Sequence, residues 1–156
     1  MAGIFLSVFI PCKFLRGFIF SQHRGHYGMQ LTLIKNPDEK LGAAYKIARA
    51  VYTETKASSL PVVEALTSMI QNSARASNCD CVDIINNRQI FDSPISDVAP
   101  SNHGFQMCLR VAQRMLGGGL ADCCFGATRF HHADVIPGWA TARGYIADVD
   151  GLLFYL

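Results

Sequence analysis

Three consecutive glycines, Gly117-Gly118-Gly119, divide the chain into two parts with different periodicities. Glycine enters the left-handed conformation freely, so the run stops any helix that reaches it. Upstream, apolar residues recur at i, i+3 and i+4. Leu41, Ala44, Tyr45, Ala48, Val51 and Tyr52 form one stripe, and Pro37, Asp38 and Glu39 open it with a fixed first turn and negative charge at the positive dipole end. A helix over about residues 38–56 follows. Ser59 and Pro61 start a second helix with Val62, Leu66, Met69 and Ile70 on its buried side. Asp80 caps a short helix over Val82 to Asn87, Gln89 to Asp92 is a link, and Pro94 to Pro100 a loop. Ser101 caps a helix carrying Phe105, Cys108, Leu109, Ala112, Met115 and Leu116. Downstream, Gly126 to His132, Tyr145 to Ile146 and Leu152 to Tyr155 read as short strands, with Asp150-Gly151 as a turn before the last. Helices first and a small sheet afterwards is the α+β class.

A chain of 156 residues fits one domain, and 50% hydrophobic against 17% charged residues supplies a core and argues against disorder. The net charge of +2 is too weak a bias for a nucleic-acid binder and mildly favours an anionic polymer such as a cell wall. Residues 1–28 stand apart. Met1 to Ile10 is almost continuously apolar, but Lys13 and Arg16 follow the apolar run where a secretory signal carries its charge before it. The run is also short of the ~20 apolar residues of a membrane span. Three readings follow: a poor export signal, a membrane-surface anchor through residues 1–20, or a start at Met29, which opens a sensible domain over residues 29–156. The six cysteines match no zinc-ribbon or thioredoxin spacing, and Cys108 falls on an apolar helix face as plain core. Export would permit a disulfide, whose connectivity the sequence does not give.

The candidate chemistry lies in two places. Glu54 sits in the last turn of the first helix, at the edge of the apolar stripe beside Tyr45 and Tyr52. The segment Gly126-Ala127-Thr128-Arg129-Phe130-His131-His132, with Pro137-Gly138-Trp139-Ala140 and Phe154-Tyr155, gathers small residues, aromatics, two histidines and the one Trp. The two read as the walls of a cleft for carbohydrate.

Three blocks of residues carry a resemblance: Ala48 to Glu54, Ala65 to Asn72, and Gly126 to Tyr155, with Asp83 to Ile85 and Gln89 to Phe91 between them. In order and spacing they resemble the cell-wall hydrolases of the spore-cortex-lytic (SleB/CwlJ) type, over about residues 41–156. The resemblance implies a lysozyme-like, lytic-transglycosylase-like fold, peptidoglycan glycan strands as substrate, no cofactor, and a location in the cell envelope, or in the cytoplasm before release if Met29 is the start. It aligns Glu54 with the catalytic acid of a Glu-Ala-Arg-Gly-Glu run. Here that run reads Glu54-Thr55-Lys56-Ala57-Ser58, so the family's second glutamate is Ser58.

A glycosidic bond breaks when a carboxylic acid protonates the leaving oxygen, and burial beside apolar residues would suit Glu54 to that role. A two-carboxylate mechanism would recruit Asp92, or Asp134 behind it; by resemblance Glu54 acts alone. Asn72 or Gln89 would bond the sugar or hold Glu54. Phe130, His131 and Tyr155 would line the cleft, and Trp139 would stack on a sugar or, equally, anchor its loop. His131 and His132 must face opposite sides of a strand, against a shared metal. Two rival functions stay open. One is a zinc-dependent amidase using His103, His131, His132, Asp134 and cysteines. The other is a glycan-binding module without turnover, which Ser58 permits.

Overall fold

In a computed structural model, residues 42–141 and 144–156 are described. The leader over residues 1–28, the alternative start at Met29, Cys12 and the helix opening at Pro37 lie outside them.

Helix α1 spans Gly42–Thr55 and buries Ala44, Ile47, Ala48, Ala50 and Val51 together with Glu54 and Thr55. Its end is local chemistry. The Thr55 hydroxyl donates to the Val51 carbonyl at 2.8 Å and accepts from the Ala57 N–H at 3.1 Å. Lys56 and Ala57 then take positive φ values of 51° and 53°. This hydroxyl offers the backbone a partner outside the helical ladder, which stops the helix one residue beyond Glu54. The N-terminus of the helix His103–Leu116 (α4) passes close to this corner. A Cβ added to Gly104 would stand 2.8 Å from the Ala57 Cβ and 3.2 Å from the Tyr52 ring, so only glycine permits the approach.

Helix α2, Leu60–Ser77, is the centre of the fold. The predicted stripe of Val62, Leu66, Met69 and Ile70 is fully buried, and so are Val63 and Thr67 on adjoining faces. A helix covered on most of its circumference is surrounded rather than laid on a surface. Indeed α2 packs against α3 (Cys81–Ile85), α4 (His103–Leu116) and the strands β1 (Arg129–His132) and β2 (Ala147–Val149). Its buried hydroxyls are satisfied: Thr67 donates to the Val63 carbonyl, Ser68 to the Ala121 carbonyl, and Ser73 to the Thr128 carbonyl. The last two bonds fasten the segment that leads into β1.

Three strands, β1, β2 and β3 (Leu152–Tyr155), form an antiparallel sheet in the order β1-β3-β2. The α+β class with helices preceding a small sheet is therefore as expected, with differences at element ends. Asp150 and Gly151 have φ of 51° and 83°, the two-residue turn whose twist matches a hairpin. It pairs Val149 with Leu152 directly, so the second strand runs over 147–149 and not 145–146. The Ser58 hydroxyl reaches Asp150 at 3.3 Å, and the Ser59 hydroxyl also donates to it, so the helix corner rests on the hairpin turn. The first strand is shorter than predicted because Phe125 and Gly126, with φ of 55° and 80°, form a turn ahead of it. The cap of α4 is Asn102, whose Oδ1 accepts from the Phe105 N–H at 3.0 Å, one residue later than the predicted Ser101. The short helix α3 starts at Cys81 behind a capping box made by Asp80 and Asp83.

The two faces of the sheet differ. Phe130, Leu152 and Phe154 face the helices and join the core, where Phe130 packs on Phe91 with ring centroids 5.2 Å apart. Residues one position out of phase face the other way: Arg129, His131 and Tyr155 gather under Trp139.

Candidate functional site

Period-two alternation puts His132 on the same face as Phe130, toward the helices. Its Nε2 lies 2.7 Å from Oε2 of Glu54, residues 78 apart in sequence. The Glu54 side chain is only 4% exposed and that of His132 is 40% exposed, so a buried acid meets a ring that opens to solvent. One hydrogen occupies this bond, carried either by the carboxyl or by the imidazole, so the pair can hold and return a single proton.

β1 is an edge strand of the sheet. A cleft of about 240 Å³ is lined by Glu54, by Phe130, His131 and His132 of β1, and by Gln89 and Trp139. The turn carrying Gln89 is fixed by Asn87: its carbonyl accepts from the Ile90 and Phe91 N–H groups, and its Oδ1 accepts from the Gln89 N–H at 2.9 Å. Phe91 anchors that turn in the core and leaves Arg88, Gln89 and Asp92 on the cleft.

Five of the sequence-predicted residues are thus brought together: Glu54, Gln89, Phe130, His131 and Trp139. Tyr155 stands one layer behind. His131 and Tyr155 stack with centroids 5.2 Å apart, and the Tyr155 hydroxyl is 3.0 Å from His131 Nε2 and donates to the Thr141 carbonyl at 3.1 Å. His131 Nδ1 donates to the His132 carbonyl at 2.7 Å, which fixes the ring against the strand. Trp139, 39% exposed, stands edge-on to both His131 and Tyr155. It is therefore both the loop anchor and an exposed face on the cleft.

Asn72 is elsewhere. Instead of turning toward α1, its amide donates to Asp122 at 3.2 Å and lies 3.5 Å from Cys124 Sγ. Asp122 also accepts from the Cys124 N–H at 3.0 Å and the Gly126 N–H at 2.6 Å. Partial burial opposes its charge, but these donors outweigh it and hold the carboxyl below the usual aspartate range. The Cys124 thiol beside it is pushed up to about 12, by burial first and by Asp122 second. Cys108 is likewise raised to about 12 by burial, as befits plain core. All five cysteines of the described part are free thiols.

Asp92 lines the cleft, whereas Asp134 is exposed and is not part of its lining. Among the described residues, no three His, Cys, Asp or Glu side chains come together in a way that could hold a metal, so the zinc reading has no ligand set there. No helix among them is long and apolar enough to cross a membrane. His132, named from the sequence only as a ligand for the zinc reading, is the partner of Glu54 instead; the signal was present, since a strand with Phe130 in the core must turn His132 the same way.

Comparison with known proteins finds no matching family model, no matching curated protein and no matching solved structure.

Proposed function

We propose that the chain is a cell-wall hydrolase that cleaves the glycan strand of peptidoglycan as a lytic transglycosylase on a lysozyme-like fold. The observation that carries this reading is the buried Glu54 carboxyl, 2.7 Å from His132 Nε2, in the lining of a cleft that the exposed Trp139 also lines. Glu54 gives its proton to the bridging oxygen as the C1–O4 bond breaks. It then accepts the proton of the same sugar's 6-hydroxyl as O6 closes on C1. The product ends in a 1,6-anhydro ring, the acid is restored, and no water is consumed. This is one residue acting as general acid and then general base. His132 is a positioning residue that fixes Oε2 and shares the proton. Gln89 offers an amide to sugar hydroxyls, and Trp139 offers a face to a pyranose ring. The chain acts at the cell envelope, and no cofactor takes part.

Digestion of purified peptidoglycan, read by mass analysis of the products, tests the proposal. Anhydro-sugar ends made by the native protein and lost in Glu54→Gln are expected. Free stem peptides would point to an amidase, and intact glycan with retained binding to a module without turnover; either result overturns the reading.

A further inference from the structure

A second cleft, of about 510 Å³, adjoins the first and shares Gln89, Ile90 and Trp139 with it. Residues of β1 line both, Arg129 the second and Phe130, His131 and His132 the first. Their charged linings differ. The first holds Glu54 and Asp92 together with Arg88. The second has no acidic side chain in its lining, and Arg129 is its charged group, among neutral polar residues such as Ser73, Ser77 and Asn87.

Arg129 is set up to receive an anion. Its guanidinium lies 5.3 Å from the Trp139 ring centroid, and the planar cation on an aromatic face holds its orientation without using its hydrogen-bond donors. Among the described residues the ion pairs are Arg49–Asp97, Arg114–Glu64 and His132–Glu54, and none involves Arg129. Its backbone is firmly placed, because Ser73 of α2 holds the Thr128 carbonyl just before it. A positioned guanidinium in a polar cleft, without an ion pair among the described residues, matches a carboxylate, which it can bind with two parallel hydrogen bonds.

We propose that this second cleft is a carboxylate-reading subsite and that Arg129 is its specificity-determining residue. The preferred glycan then carries an acidic substituent one position along from the bond at Glu54, with Trp139 between the two clefts. The inference rests on the glycan-cleaving reading of the Glu54 cleft and names what that substrate must carry. Two sources of the same chemistry fit: the lactyl carboxylate of an unsubstituted muramic acid, and the free carboxylates of a peptide stem.

Calorimetric binding to the full-length Glu54→Gln variant, where turnover is blocked, tests it with three probes. These are a neutral chitotetraose, a peptide-free tetrasaccharide of alternating N-acetylglucosamine and N-acetylmuramic acid, and the same tetrasaccharide bearing stem peptides. The expected result is binding of at least one acidic probe about tenfold tighter than the neutral one, weakened by added salt. Adding Arg129→Gln removes that preference and leaves chitotetraose affinity unchanged, while Arg129→Lys restores part of it. The probe that loses affinity identifies the carboxylate source. Equal affinity for neutral and acidic probes, equal weakening of all three by Arg129→Gln, or no binding of any probe overturns the proposal. Failure of the Glu54 reading is seen separately, as absence of anhydro products from the native protein while the Arg129-dependent preference persists.

Discussion

Glu54 and Asp122 are both carboxylates that tie a helix to the C-terminal part of the chain, and they are held in opposite ways. Asp122 is exposed and surrounded by donors fixed in a loop: two main-chain N–H groups and the Asn72 amide. Every one of these favours the anion, which holds the carboxyl below the usual aspartate range and makes it a peg for the turn into β1. Glu54 is buried, and its Oε2 has one ring nitrogen as partner. An imidazole nitrogen can donate or accept a hydrogen bond, whereas the partners of Asp122 named above only donate. Donor type, rather than burial alone, separates a structural carboxylate from one suited to acid–base work.

The largest expected effect tests the Glu54 side of that contrast. Glu54→Gln keeps a group able to bond His132 but cannot release a proton. Glycan cleavage should fall by about 100-fold or more, with the melting temperature little changed. A variant that cleaves as well as the native protein would remove Glu54 from the chemistry and erase the distinction.

Steric disturbance of the same corner comes next. Gly104→Ala places a methyl 2.8 Å from the Ala57 Cβ, a rigid neighbour, and should cost about 1–3 kcal/mol in denaturant unfolding while lowering activity through the displaced end of α1. Unaltered stability would mean that the helix ends separate without penalty.

Asp122→Ala should cost about 1 kcal/mol, since charge-assisted bonds are lost but in a solvated loop. Its pH dependence carries a definite sign. A carboxyl whose folded value is lowered stabilises the protein above its unfolded value and loses that contribution as pH falls through the folded one. The gap in melting temperature between the native protein and Asp122→Ala should therefore be steady near neutrality and close below about pH 4. A gap that persists in acid would show that shape rather than charge holds the turn.

The smallest effect belongs to Asn72→Ala, about 0.5–1 kcal/mol from one part-exposed hydrogen bond, with saccharide binding and turnover retained. A selective loss of saccharide affinity would return Asn72 to the sugar-binding role expected from the sequence.

Much of the fold was legible because it rests on local rules. The stripe on α2 follows from periodicity, and the glycine run and the Asp150-Gly151 turn follow from backbone sterics. The β2 boundary was misread because the turn, and not the apolar pair Tyr145-Ile146, decides where pairing begins. At the candidate site, Glu54 stood out as a carboxylate at an apolar edge. The alternation separates His131 from His132, but which of the two meets Glu54 depends on which face of the strand the core covers. Arg129 gave no sign of its role, because a cation next to aromatics in sequence says nothing of which ring it will cover.

The order of elements, the helix faces and the position of each turn are determined by the sequence, because propensity, periodicity and allowed dihedrals act over a few residues. Which side chains meet is settled by packing alone. Residues 78 apart, as Glu54 and His132 are, become neighbours only when the buried faces of α1, α2 and the sheet close on one another. That closure also sets the cleft lined by Glu54, Arg88 and Asp92 beside the one lined by Arg129, with Gln89, Ile90 and Trp139 common to both.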